Sequence, residues 1–165
     1  MIGWMVGMAM IIAIILAMCS FAPNLECGEE IGAFNNVSAY YNDGYHSCSD
    51  RNWSEDGSYS YGMKWQCVEF VRRYYYEALN HKMPNRWGNA ADYFRYNIPS
   101  GEMNTERNLT QYYNGDMKPK VNDILSGFVT DRLNRYYDTC SILNYICWRC
   151  MLSICEPIYY SFKTY

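Results

Sequence analysis

Residues 61–73 read YGMKWQCVEFVRR, an aromatic-flanked loop that turns into a helix at Cys67. Through residues 66–80 (QCVEFVRRYYYEALN), Val68, Val71, Tyr75, Ala78 and Leu79 recur at helical spacing and make one apolar stripe. Glu69, Arg72, Arg73 and Glu77 lie largely off that stripe, so the plain role of a residue such as Arg72 is a solvated charge on the helix face. His81 and Lys82 put positive charge at the C-terminal end, where it suits the macrodipole, and Pro84 stops the helix.

The placement of Cys67 poses a chemical question. A cysteine in the first turn of a helix feels the positive end of the macrodipole and the backbone N–H groups there, and both favour thiolate over thiol. Thiolate is the attacking species, so a cysteine hydrolase puts its nucleophile at such a position. Neighbouring backbone amides suit the oxyanion of a tetrahedral intermediate. Two plainer readings stand beside this one: half of a disulfide, or a small buried residue packed with Val71.

Bulk properties bound the answer. The chain has 165 residues, enough for one domain with its own core. With 17 acidic and 14 basic residues and no basic stripe, nothing points to a nucleic-acid partner. Tyrosine is abundant, at 18 residues. Tyrosine-rich loops line grooves for sugars or peptides, and they also serve simply as an amphipathic surface.

Residues 1–19, MIGWMVGMAMIIAIILAMC, are apolar enough to enter a bilayer, and no charged side chain occurs before Glu26. We expect residues 1–22 to be a signal peptide, without the usual basic n-region, and the mature protein to be secreted or periplasmic. An uncleaved membrane anchor through residues 1–19 is the alternative. Cys19 sits where a lipid-modified cysteine would, but Met18 before it is a poor fit to that signal. Of the eight cysteines, removal of Cys19 leaves seven, an odd count that keeps at least one thiol unpaired in an oxidising compartment.

Residues 23–64 are rich in Asn, Gly, Ser, Asp and Tyr, with turn signals such as NDG and EDG, and predict loops with one short strand around VSAYY. A second, shorter helix is expected from Asn89 as N-cap, with Asp92 at its third position, ending at Pro99, Ser100 and Gly101. Val121 to Leu125 reads as the start of a strand, and Asn122 there tolerates a left-handed turn conformation.

YGMKWQCVEFVRRYY resembles the signature of the CHAP domain, the cysteine- and histidine-dependent amidohydrolase/peptidase family. Downstream, WGNAADYF and KPKVNDIL resemble the family's next motifs in order, the latter its entry to the first core strand. The likeness spans roughly residues 34–125. It implies an α+β, papain-like fold with the cysteine helix packed on an antiparallel sheet. It implies hydrolysis of amide bonds in peptidoglycan peptides, with no cofactor and no metal. By position, Cys67 matches the family nucleophile and Gln66 precedes it as oxyanion support. Arg72 falls where glutathionylspermidine amidases of the family place a substrate-contacting arginine. Asp123 matches an acidic residue that caps the strand-entry turn.

One departure matters. The family's general base is a histidine on a strand shortly after the NDIL-type segment, oriented by a later Asn, Asp or Glu. The only histidines here are His46 and His81, both earlier in the chain. His81 lies 14 residues from Cys67, about 21 Å along a continuous helix, beyond proton-transfer reach. His46 reaches Cys67 only if the lead-in folds back. From Ser126 the sequence becomes cysteine-rich and histidine-free (SILNYICWRCMLSICEPIYYSF). We therefore expect residues 126–165 to be a frame-shifted or replaced tail and the sheet to be incomplete, with activity low or absent. A divergent but working C-terminus is the competing idea.

Two further expectations are minor. Cys140, Cys147, Cys150 and Cys155 contain a single C-x2-C pair in apolar surroundings, which favours disulfides over zinc. The sequons at Asn36, Asn52 and Asn108 bear on modification only in a glycosylating source.

Overall fold

A computed structural model of the chain describes residues 25–42, 48–130, 136–142 and 158–163, the residues from 128 on by their backbone. The expected signal segment, His46 and most of the cysteine-rich tail lie outside the described residues. Among the described residues, no helix is long and apolar enough to cross a membrane.

The architecture is α+β. Two antiparallel hairpins come first, β1 (Glu30–Phe34) with β2 (Val37–Tyr40), and β3 (Arg51–Trp53) with β4 (Ser60–Met63). Helix α1 (Cys67–Leu79) follows, then a 3-10 turn (Ala90–Tyr93). The remaining strands are β5 (Met103–Asn104), β6 (Leu109–Tyr112), β7 (Ile124–Thr130), β8 (Tyr136–Ile142) and β9 (Ile158–Lys163). They form one five-stranded antiparallel sheet in the order β5-β6-β9-β7-β8.

Three expectations change here. The segment at residues 23–64 holds four strands rather than one, because turn-rich stretches such as residues 54–58 close hairpins. The second helix is shorter than expected and ends at Tyr93, well before Pro99. Strand β7 runs straight through Ser126, and both β8 and β9 pair with it. The segment expected to be a replaced tail therefore supplies two strands of the main sheet.

Helix α1 packs against β2, β4 and β8. Val71, Tyr74 and Tyr75 on its inner face join Val37, Met83, Ala90, Tyr93, Phe94, Leu109 and Ile124 in the core. The helix ends where Asn80 adopts a left-handed conformation (φ 50°) and the His81 N–H reaches back to the Tyr75 carbonyl at 2.8 Å. That cap satisfies a carbonyl that would otherwise be left open at the helix end. The one disulfide among the described residues joins Cys27 to Cys48, tying the β1–β2 hairpin to the chain entering β3.

Candidate functional site

Cys67 is the first residue of α1, as its sequence context predicts. Gln66 is the N-cap, extended at φ −70° and ψ 155°, and its side chain makes no capping hydrogen bond. Its carbonyl accepts from the Phe70 N–H at 3.0 Å, and its own N–H donates to the Met63 carbonyl at 3.1 Å. The chain thus turns sharply from β4 into the helix, and the first-turn N–H groups point toward the cysteine end. Cys67 is half-buried, rests against the core, and lies outside the Cys27–Cys48 bridge.

The surroundings of this helix end are built from distant parts of the chain. The Tyr93 hydroxyl donates to the Val68 carbonyl at 3.3 Å, and the Ser126 hydroxyl donates to the Ala90 carbonyl at 2.6 Å. These bonds hold the 3-10 turn between α1 and β7. Strand β8 packs against both α1 and that turn. At the strand entry, the Lys120 N–H donates to Asp123 Oδ2 at 2.7 Å while the Asp123 N–H donates to the Lys120 carbonyl at 3.0 Å. Asp123 therefore caps a turn, the role expected of it. Asn122, just before, has φ 73°.

No imidazole is brought to Cys67 among the described residues. Helix α1 is continuous, so Cys67 and Leu79 are about 18 Å apart, and His81 lies beyond. His81 is committed elsewhere, with Nε2 2.9 Å from the Arg107 carbonyl and its ring edge-on to Tyr75. Strand β8 reads YYDTCSI and contains no histidine. Among the described residues no cluster of His, Cys, Asp and Glu suits a metal ion. The side chains of Cys140, Cys147, Cys150 and Cys155 lie outside the description.

The reading of Arg72 as a solvated charge is corrected. Arg72 is only 3% exposed. Its guanidinium donates to the carbonyls of Ser60 (3.1 Å), Asn85 (2.5 Å) and Met83 (3.4 Å), and lies 4.7 Å from the centre of the Tyr59 ring. A planar fork meeting several carbonyls and a ring face is what arginine does better than lysine. These bonds fasten α1 to β4 and to the segment after Met83. Arg107 does the same from the other side, donating to Asn85, Trp87 and Asp92 carbonyls above the Tyr93 ring. Burial holds the Arg107 guanidinium below its ordinary value.

Glu69 and Arg73 also belong to the interior, at 1% and 5% exposure. Arg73 Nε lies 2.6 Å from Glu69 Oε1, which also accepts from Asn52 Nδ2 at 2.9 Å. Sequence periodicity missed this pair. Their i, i+4 spacing was the available signal, since it sets the two charges on one strip of the helix.

Comparison with protein-family models, with curated proteins and with solved structures gives no match. The resemblance to the CHAP family therefore rests on the sequence motifs between Tyr61 and Leu125.

Proposed function

We propose that this chain is a secreted or periplasmic cysteine amidohydrolase/peptidase of CHAP type, papain-like in fold, acting on amide bonds in peptidoglycan peptides. The observation that carries the reading is Cys67 at the first position of a helix laid against an antiparallel sheet. In that role the Cys67 sulfur attacks the amide carbonyl, backbone N–H groups at the helix start and Gln66 bind the oxyanion, and a thioester forms as the C–N bond breaks. Water then releases the acid. The leaving amine needs a proton, which the family takes from histidine. Activity in this chain is accordingly low or absent.

A second reading is a degenerate, non-catalytic CHAP domain that binds wall fragments. It is favoured by strand β8, which follows β7, lies against α1 and carries no imidazole. A glutathionylspermidine-type amidase fits less well, because that substrate is cytosolic and residues 1–22 read as an export signal.

Both readings meet one experiment. The purified chain and its Cys67→Ala variant are incubated with peptidoglycan, and newly released amino groups are counted alongside alkylation of the thiol at neutral pH. The enzyme reading expects Cys67 to alkylate faster than a cysteine in an unstructured peptide, with slow amine release that the variant lacks. Ordinary thiol reactivity with no release defeats it and leaves the binding reading.

A further inference from the structure

Strand β3 and the loop after Met83 together build a feature that the thiol site does not use. Asn52 turns inward to Glu69, while Arg51 and Trp53 flank it on either side. The Arg51 guanidinium lies 4.8 Å from the centre of the Trp87 ring, and the Arg86 guanidinium lies 4.8 Å from the same centre. Trp87 is 57% exposed. Large aromatic surface is left open to water here, next to two cations.

The ion pairs among the described residues use Arg73 and Arg95, and neither Arg51 nor Arg86 takes part in one. A guanidinium resting on an indole is held through its face, so its N–H edge stays directed outward and pre-ordered for a planar anion. A carboxylate accepts two such N–H groups side by side. Exposed indole beside it offers an amphipathic surface to the apolar face of a sugar ring.

We propose that Arg51, Arg86 and Trp87 form a binding platform for a carboxylate-bearing saccharide. The choice of saccharide rests on the wall-polymer reading above: alternate sugars of its glycan strand are muramic acids, which carry a free carboxylate wherever the stem peptide has been removed. A nucleic acid fits the platform less well. Its closely spaced phosphates are met by a track of basic residues, and this chain has net charge −3 with no such track.

The test uses the Cys67→Ala chain and tryptophan fluorescence, confirmed by calorimetry. The probe is a peptide-free oligosaccharide alternating N-acetylglucosamine with N-acetylmuramic acid. A pure N-acetylglucosamine oligomer and an oligothymidylate, each of matched length, serve as comparisons. The acidic saccharide is expected to bind at least about tenfold more tightly than the neutral one, and less tightly as salt rises. Arg86→Gln and Arg51→Gln each weaken it about threefold, the scale of an exposed charge contact. Arg86 is exposed, so its replacement leaves the fold intact, as circular dichroism verifies. Absence of binding, equal binding of the neutral oligomer, unchanged affinity in Arg86→Gln, or tighter oligothymidylate binding overturns the proposal. Because the probe has no peptide amide and the variant has no thiol, failure here and failure of the hydrolase reading are separate results.

Discussion

The Tyr75 hydroxyl donates to the Asn122 carbonyl at 2.6 Å, joining the middle of helix α1 to the turn two residues before strand β7. Its neighbour Tyr74 donates to Asn122 Oδ1 at 2.7 Å, so the left-handed Asn122 presents both of its oxygens to the helix. Both tyrosines are fully buried, and this junction seats α1 on the sheet. Tyr75→Phe keeps the ring and removes the donor. It should cost about 0.5–1.5 kcal/mol, the net worth of a typical hydrogen bond, because the half-buried Asn122 carbonyl can take up water instead. Urea unfolding should show a lower midpoint with an unchanged slope. An unchanged midpoint would mean the bond is idle.

The same phenol gives an alkaline limit. Burial, and after it the charge of Asp123, raise the Tyr75 hydroxyl well above its ordinary 10.0. The neutral form is the one the fold accepts. Its stabilising effect is complete below pH 10, and is lost as pH rises above that value because the unfolded chain then ionises first. Stability measured against pH should therefore fall beyond pH 10, and fall less steeply in Tyr75→Phe. Parallel curves for the two chains would remove Tyr75 as the cause.

Glu69 and Arg73 form a buried pair whose partners depend on each other. Glu69→Gln leaves the Arg73 guanidinium charged among the rings of Tyr40, Trp65 and Phe70. Removing one partner of a buried pair costs about 3–5 kcal/mol. Replacing both by Met should cost less than the sum of the single changes, with a coupling of about 0.5–3 kcal/mol. A double-mutant cycle by denaturant titration reads this directly, and additive effects would show the pair to be uncoupled.

What the sequence revealed and concealed follows from the range of the forces involved. The helix was legible to within a residue, because apolar spacing, the turn before Cys67 and Pro84 are all local signals. Asn122 and the capping role of Asp123 were legible for the same reason. The burial of Arg72 was not, since its acceptors at Ser60, Met83 and Asn85 come from segments that only the tertiary fold brings together. Likewise, residues 136–142 (YYDTCSI) and 158–163 (IYYSFK) hold strand-forming Tyr, Thr, Ile and Phe, but nothing local in them says that both pair with β7. The candidate nucleophile could be read from the sequence. The platform around Trp87 could not, because Arg51 and Arg86 lie 35 positions apart.

Gly88 is required by the segment that positions the 3-10 turn. Its φ is +106°, and a Cβ there would sit 2.5 Å from Asp92 Cβ. Asp92 Oδ2 accepts the Asn89 N–H at 2.8 Å, so the clash displaces the group that opens the turn. Gly88→Ala should cost about 2–4 kcal/mol, combining backbone strain with the clash. Gly115 also has positive φ (+93°) but nothing within 4 Å of an added Cβ, so Gly115→Ala should cost only about 1–2 kcal/mol. Thermal unfolding of the two variants side by side checks the ordering, and equal losses would leave no role for Asp92.

Asp56 sets the acid behaviour of the β3–β4 turn. It accepts from the Ser54 hydroxyl at 2.6 Å, the Ser58 hydroxyl at 2.8 Å and the Ser58 N–H at 3.1 Å. The Ser54 hydroxyl bond, followed by the two from Ser58, lowers its carboxyl from 3.8 to about 2. The ionised form is the one the turn holds, so its contribution is complete above pH 3.8 and disappears as pH falls through about 2. Protection of the Gly57 and Ser58 amides, measured by NMR as exchange relative to an unstructured peptide at the same pH, should hold down to pH 3.8 and fall with a midpoint near 2. Asp56→Asn keeps an acceptor but no charge, and should exchange faster at neutral pH with no acid transition in this turn. A midpoint at 3.8 in the natural chain would show that the serine hydroxyls do not hold the carboxylate.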